Sequence, residues 1–253
     1  MANREFSTLV PRIAPSVPGC PYPLVEQHIR DCAIRTCERT LTWRHAERPY
    51  ALEPGVFQYK YRKPANSVVH AVFLASLNKY PLDHLTLDKA LELYPQWADL
   101  YGGVDYETLW SDSGGLNTYQ YNEETVNGGV EFSLTDEALE DASEPRAITQ
   151  LTPDEFVVLP APDDEKQYVL RLIYALKPKR SSTSMPEHIF DELEDAIVHG
   201  TLQELLVLPE VNWSDRELAS YHARQYRFHT SERRARANLG NARGSMAVKF
   251  QPF

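Results

Sequence analysis

The fold follows first from residues 23–43, which read PLVEQHIRDCAIRTCERTLTW. On a helix with about 100° per residue, one sector of roughly 60° contains Val25, Ile29, Cys32, Thr36 and Trp43. Charged side chains occupy the far side, and Pro23 is tolerated in a first helical turn. The segment therefore predicts an amphipathic helix of about 20 residues that ends before Pro49.

The residues that precede this helix are rich in proline. Within residues 5–23 these are Pro11, Pro15, Pro18, Pro21 and Pro23. Proline lacks a backbone donor and biases the residue before it away from helix. We therefore expect residues 5–23 to form an extended lead-in.

After residue 50 the apolar period changes from the helical repeat to two, which is typical of strands. We expect strands at Phe57–Tyr61, Val68–Leu74, Val130–Leu134, Phe156–Leu159 and Tyr168–Leu176. Glycine pairs and an Asn-Gly-Gly sequence separate several of these runs. The pattern predicts an antiparallel β-sandwich, interrupted by one short helix from about Thr86 to Tyr94.

The linker Lys179–Ser184 leads into a helix with one apolar face. That face carries Ile189, Phe190, Leu193, Ala196, Ile197 and Gly200. A glycine within a helix costs about 1 kcal/mol relative to alanine, so its presence indicates a packing reason. We expect Gly200 to permit a close crossing with another helix.

A last helix opens at Ser214–Glu217, which has the sequence of a capping box. Its more apolar side carries Leu218, Tyr221, Gln225, Phe228, Glu232 and Leu239. On the opposite side, Arg216, Arg227 and Arg234 fall within about 20° of one another.

The terminal helices have to bury their apolar faces, and packing on one another is the simplest solution. We therefore predict an α+β fold with two domains. Residues 1–50 and 178–253 form a helical bundle with an extended C-terminal tail, and residues 51–177 form an inserted, antiparallel β-sandwich-like domain.

Composition excludes several classes of protein. The chain has 253 residues, 42% hydrophobic and 25% charged, which excludes a wholly disordered or collagen-like chain. No run of about 18 apolar residues exists, so we expect no membrane span, and Met1–Glu5 lacks the pattern of a signal peptide. Three cysteines cannot all pair within one chain, which favours a reducing compartment.

No catalytic motif is present, and we expect no catalytic residue, metal or cofactor. A zinc site built from His28, Cys32 and Cys37 fails because on one helix the two cysteines lie about 140° apart. We expect these cysteines to belong to the core. For the acidic triplet Asp163–Glu165, a turn after Pro162 is as good an explanation as a cation site.

Charge is distributed unevenly, with a net value of −10 for the chain. Residues 123–144 contain eight acidic residues and no basic one, whereas residues 224–253 contain seven basic residues and one acidic residue. Such asymmetry predicts different partners for the two regions. The arginines of the last helix could bind phosphates, pair with acidic protein surface, or remain solvated.

Several segments together resemble the head-to-tail adaptor (neck or connector) proteins of tailed bacteriophages, the group related to tail tubular protein A. The similarity covers roughly residues 17–100 and 168–240. It is carried by Val17–Pro21 before a helix with Ala33, Cys37 and Trp43, by Val68–Val72, Leu93–Trp97, Tyr174–Pro178, Met185-Pro186, Leu205–Pro209 and Trp213–Asp215, and by the arginine- and alanine-rich last helix.

The resemblance implies a structural virion protein located at the head–tail neck, and in the host cytoplasm during assembly. It implies a ring, commonly of twelve copies, that binds the portal protein and the tail or nozzle proteins and continues the channel through which viral DNA passes without specific binding. Portal contact is assigned to Arg227, Arg233, Arg234, Arg236, Arg243, Lys249, Phe250 and Phe253. Residues 104–165 match the family poorly.

Physical chemistry is compatible with this role, because acidic subunits repel phosphates over a Debye length of roughly 8 Å. Two alternatives remain open. One is a DNA-binding or regulatory module that uses the basic last helix. The other is a hydrolase with a site in the acidic segment that depends on Asp163 and Asp164.

Overall fold

The computed structural model describes residues 2–94 and 142–239 and has an α+β fold. Its helices are α1 (Val10–Ile13), α2 (Tyr22–Thr40), α3 (Leu87–Leu93), α4 (Glu187–Val207) and α5 (Arg216–Leu239). Its strands are β1 (Asn3–Glu5), β2 (Arg44–Ala46), β3 (Tyr50–Leu52), β4 (Gln58–Lys60), β5 (Ser67–Leu77), β6 (Tyr80–Pro81), β7 (Asp83–His84), β8 (Ala147–Gln150), β9 (Glu155–Leu159), β10 (Tyr168–Pro178) and β11 (Ser184–Pro186). The predicted strand Val130–Leu134 lies outside the described residues.

The chain divides into two compact units. Unit 1 comprises Met1–His45, Lys63–Ala71 and Tyr174–Phe253, and unit 2 comprises Ala46–Arg62 and Val72–Ile173. These boundaries differ from the predicted ones, because part of the β-rich sequence groups with the helices. Hydrogen bonds give the reason: the Leu176 amide donates to the Trp43 carbonyl (2.8 Å), and the Lys179 amide donates to the Asn66 carbonyl (3.0 Å).

In unit 1, helices α2, α4 and α5 pack on one another as a bundle. The predicted first helix is confirmed as α2, whose buried residues include Val25, Ile29 and Cys32. Trp43, however, lies beyond the helix, because Leu41 takes a left-handed conformation (φ 53°) that ends it. The Trp43 side chain is still buried.

The expected extended lead-in is wrong. After β1, the chain forms a 3-10 turn over Phe6–Leu9, helix α1 and a second 3-10 turn over Ala14–Ser16. Pro11 and Pro15 are the second residues of α1 and of the second 3-10 turn, within a first turn where no amide donor is needed. Apolar side chains at spacings of three and four are buried on this segment: Phe6, Leu9, Ile13 and Val17.

The close crossing predicted at Gly200 is confirmed. A Cβ at this position of α4 would overlap the Sγ of Cys32 on α2 and would lie 3.0 Å from Cδ2 and Cε2 of Tyr226 on α5. Cys32, Ala196 and Tyr226 form one buried cluster. The missing side chain at Gly200 is therefore what allows three helices to meet at one point.

The predicted buried face of α5 is wrong. Leu218, Tyr221 and Phe228 are exposed, and the buried residues of the helix are Ala219, His222, Tyr226 and Thr230. The gap at Gly200 admits the Tyr226 ring, whose hydroxyl lies 3.3 Å from Thr36 Oγ1. Burial of a polar side chain costs little free energy when the side chain has a hydrogen-bond partner. The contact between Tyr226 and Thr36, rather than the hydrophobicity of the helix faces, therefore decides which side of α5 is buried.

The capping residue of α5 also differs from the prediction. Asp215 Oδ1 accepts hydrogen bonds from the amides of Glu217 (3.0 Å) and Leu218 (2.9 Å), as an N-cap side chain does. Ser214 instead donates its hydroxyl hydrogen to the Leu206 carbonyl (3.2 Å). The start of α5 is thus hydrogen-bonded to the end of α4.

Unit 2 contains a sheet of β4, β9, β8 and β7, in that order. The prediction of purely antiparallel pairing is wrong for one pair, because β7 and β8 are parallel. Parallel neighbours need a long crossover connection, and residues 85–146 separate these two strands. The predicted short helix is confirmed as α3, which begins after Thr86, and its Ala90 is buried with Phe57 and Leu159.

Unit 2 contains further strand pairs. β3 is antiparallel to β10, with Leu52 opposite Tyr168, and β5 forms a hairpin with β6. None of the described helices is long and apolar enough to cross a bilayer.

Candidate docking surface on the last helix

Helix α5 is held in the bundle by the ring and hydroxyl of Tyr226. Its hydroxyl lies 3.3 Å from Thr36 Oγ1, and Thr36 in turn donates to the Cys32 carbonyl (2.7 Å). The guanidinium of Arg39 lies over the Tyr226 ring, 5.4 Å from its centroid. Burial raises the pKa of Tyr226, so its hydroxyl keeps the proton that the contact with Thr36 uses.

The far end of α5 is tied to the segment that follows α2. Arg44 donates from Nη2 to Asn238 Oδ1 (3.2 Å) and from Nε to the Leu41 carbonyl (3.2 Å). At the start of α5, the Ser214 hydroxyl and the Asp215 amide donate to the Leu206 carbonyl at the end of α4. The helix therefore has hydrogen bonds to neighbouring segments near both of its ends.

The structure describes four of the eight residues assigned to portal contact. Arg227, Arg234 and Arg236 are exposed, and Arg233 is half-buried. Arg227 donates from Nε to the Ala223 carbonyl (3.3 Å), and Arg236 pairs with Glu232 Oε1 (2.9 Å) one turn away. Within residues 2–94 and 142–239, no carboxylate forms an ion pair with Arg227, Arg233 or Arg234.

The remaining four assigned residues lie in the C-terminal segment outside the described residues: Arg243, Lys249, Phe250 and Phe253. The structure therefore brings together only the α5 members of the predicted set.

Apolar side chains are exposed on the same helix. Leu218, Tyr221 and Phe228 have 37%, 46% and 62% of their surface accessible. At 100° per residue, they lie on one flank of the buried face, and Arg216, Arg227 and Arg234 lie on the other. We call these exposed arginine and apolar side chains the α5 outer face. A surface that mixes apolar side chains with arginine has the composition of a protein-binding surface.

Two arginines of the N-terminal segment, Arg4 and Arg12, are paired with carboxylates of α4. Arg4 pairs with Asp191 (2.7 Å) and Glu194 (3.2 Å), and Arg12 pairs with Glu194 (2.8 Å) and Asp195 (2.7 Å). The N-terminal segment thus neutralises part of the acidic side of α4. The hydrogen bond from Arg12 holds the pKa of Asp195 below its ordinary value. By contrast, Arg227 and Arg234 of α5 are exposed and form no ion pair with a described carboxylate.

Cys32 and Cys37 of α2 belong to the core, as predicted. Cys32 and Cys37 are fully buried and unpaired, and desolvation raises the pKa of each to about 12. Cys32 Sγ contacts the Ile197 carbonyl (3.5 Å), whereas His28 interacts with Glu204 (3.3 Å). Across the part of the chain that the structure describes, no three acidic, histidine or cysteine side chains converge as metal ligands.

The acidic triplet forms a turn. Asp163 Oδ1 accepts hydrogen bonds from the Glu165 amide (3.2 Å) and from the Tyr168 hydroxyl (2.9 Å). The Asp163 carboxylate accepts hydrogen bonds from its own loop, as expected if residues 163–165 form a turn.

Comparison of the chain with models of protein families finds no matching family, and a search of curated proteins finds no match.

Proposed function

We propose that this chain is a structural, non-enzymatic head-to-tail adaptor of a tailed bacteriophage. In this role it forms a ring of copies, docks on the portal protein through α5 and the residues after it, and binds tail or nozzle proteins on the other side. Viral DNA passes through the ring without specific binding. The proposal places the protein in the virion neck, and in the host cytoplasm during assembly.

The observation that carries the proposal is the α5 outer face. Arg227 and Arg234 have no carboxylate partner among the described residues, and apolar side chains on the other flank of the same helix are exposed. Guanidinium groups pair bidentately with carboxylates, and exposed aromatic and aliphatic side chains can be buried by an apolar partner surface. An acidic and apolar partner surface is therefore the chemistry that α5 fits.

The fold class supports the same function. A helical bundle that combines N- and C-terminal helices with a β-rich unit is the architecture that the resemblance to adaptor proteins implies. Side-to-side contacts between unlike surfaces of identical chains close into rings. The net charge of −10 disfavours tight contact between such a ring and the DNA in its channel.

The competing function is duplex DNA binding by the same arginines. It differs in salt dependence, because each neutralised phosphate adds a slope of about −0.9 to log K against log salt. An acidic chain that contacts DNA through one helix face would show tight binding at low salt that is lost at physiological salt. The adaptor function requires no such binding.

The test mixes the purified chain with the portal ring encoded by the same phage genome. Binding is measured by sedimentation, and the complexes are imaged by electron microscopy. We expect a second ring on one end of the portal. The double variant Arg227→Glu, Arg234→Glu should bind more than tenfold more weakly, because breaking an interfacial charge pair costs about 2 kcal/mol or more.

Arg171→Glu is the matched control, since it reverses the charge of an exposed arginine on β10 in unit 2. It should bind the portal as the wild type does. Equal binding by the α5 double variant, or strongly salt-dependent duplex DNA binding with no portal complex, would refute the proposal.

A further inference from the structure

Three histidines meet where α4 packs on α5. His199 of α4 and His222 of α5 face each other with their Nδ1 atoms 2.8 Å apart. The ring of His229, two turns further along α5, stacks on His199 with a centroid distance of 5.4 Å and an interplanar angle of 7°. His222 is 8% exposed, and His199 and His229 are half-buried, so the contact is partly shielded from water between α4 and α5.

The short contact between His199 and His222 sets a limit on protonation. A hydrogen bond between two Nδ1 atoms needs one N–H donor and one lone-pair acceptor, so at least one ring has to be neutral at Nδ1. If both rings are protonated, two N–H groups and two positive charges face each other. The attractive contact then becomes a repulsive one.

The charged groups around the cluster do not relieve this repulsion. Asp195 of α4 is the carboxylate whose charge favours protonation of His199, but it is already paired with Arg12 of α1 (2.7 Å). Arg12 also pairs with Glu194 (2.8 Å) and its positive charge opposes protonation of His199. From α5, Tyr221 contributes only a ring edge, 6.5 Å from the His199 ring.

The direction of the pKa shifts agrees with the geometry. Desolvation, followed by the charges of His222 and His229, lowers the pKa of His199 to about 4, and burial lowers the pKa of His222. A lowered pKa in the folded state means that acid favours the unfolded state. Stability is therefore complete above about pH 6.5 and is lost as the pH falls toward 4.

We propose that His199, His222 and His229 form an acid-sensitive latch, in which protonation of the facing histidines weakens the packing of α5 on α4. The latch lies within unit 1 and does not depend on the proposed function. Among the described residues, these side chains do not form a group that could hold a metal ion. We therefore attribute the weakened packing at low pH to protonation.

The test is a histidine titration of the full chain labelled with ¹⁵N, recorded in the presence of EDTA. Long-range ¹H–¹⁵N spectra report the tautomer and protonation of each imidazole. We expect the His199 ring to stay neutral at pH 5, where a histidine of ordinary pKa near 6.5 is mostly protonated, and we expect the two facing rings not to be protonated together. Protonation of both rings at pH 5 without a change in α5 would overturn the proposal.

A second measurement compares melting temperatures at pH 7.5 and pH 4.5. The wild type should lose about 2–4 °C more on acidification than the double variant His199→Gln, His222→Gln, whose amides do not titrate. His188→Gln, which removes an exposed histidine of the same helix, is the matched control and should behave as the wild type. A double variant as acid-sensitive as the control would overturn the latch. If it does not fold, the wild-type titration decides alone.

Discussion

Substitution of Gly200 by alanine tests the point where α2, α4 and α5 meet. In an exposed helix this change would stabilise the fold by about 1 kcal/mol, because alanine is the better helix former. Here the added methyl would overlap Cys32 Sγ and would lie 3.0 Å from two ring carbons of Tyr226. Neither neighbour can move freely, since Cys32 is buried and the Tyr226 hydroxyl contacts Thr36.

Overpacking of a core costs about 1–3 kcal/mol. We expect a cost in the upper part of this range, about 2–3 kcal/mol, because the added methyl overlaps Cys32 Sγ. After the gain of about 1 kcal/mol in helix propensity is subtracted, Gly200→Ala should lower the free energy of unfolding by about 1–2 kcal/mol. For a chain of this size, each kcal/mol lowers the melting temperature by about 2–4 °C. Urea unfolding followed by circular dichroism would measure the loss in the free energy of unfolding.

The double variant Gly200→Ala, Cys32→Ala separates steric overlap from other causes. Removal of Sγ leaves room for the methyl group at position 200, so the two losses should not add. We expect the double variant to be more stable than the sum of the single variants predicts, by about 0.5–3 kcal/mol. Strict additivity, or a Gly200→Ala variant more stable than the wild type, would show that the helices do not meet at this residue.

Two further predictions concern the start of α5 and the cysteines. Asp215→Ala should lower the free energy of unfolding by about 1 kcal/mol, because it removes the acceptor for two amides of the first turn. Ser214→Ala should lower it by less. Equal losses of stability in thermal unfolding would contradict the assignment of Asp215 as the cap. In the native protein, a maleimide should label Cys20 before Cys32 or Cys37. Cys32 and Cys37 are fully buried, and each has a pKa near 12. In denaturant, all three cysteines should react. Mass spectrometry that finds Cys32 labelled in the native protein at the rate of Cys20 would contradict the burial of the bundle core.

The elements of the fold could largely be predicted from local patterns. The apolar repeat of α2, the short helix after Thr86, and the alternation along β10 are each visible in a window of 10 to 20 residues. Gly200 was also interpretable in advance, because a glycine on the apolar face of a helix is unfavourable unless another helix occupies the space. The candidate surface was predicted as a stripe of arginines on the last helix.

Other features depend on residues that are distant in the sequence. The prolines at 11 and 15 were expected to extend the chain, yet they begin helical turns because Phe6 and Ile13 find a buried environment. The pairing of Arg12 with Asp195 and the contact between His199 and His222 join different elements. No local period contains this information.

The sequence alone determined that α2, α3, α4 and α5 are helices and that β5 and β10 are strands, because backbone propensity and side-chain period act between near neighbours. The orientation of α5 was decided only by the tertiary structure. Hydrophobicity favoured burial of Leu218, Tyr221 and Phe228, but the space at Gly200 and the hydroxyl of Thr36 favoured Tyr226. Burial free energy depends on the partner that a side chain meets, and that partner is set by how distant helices pack.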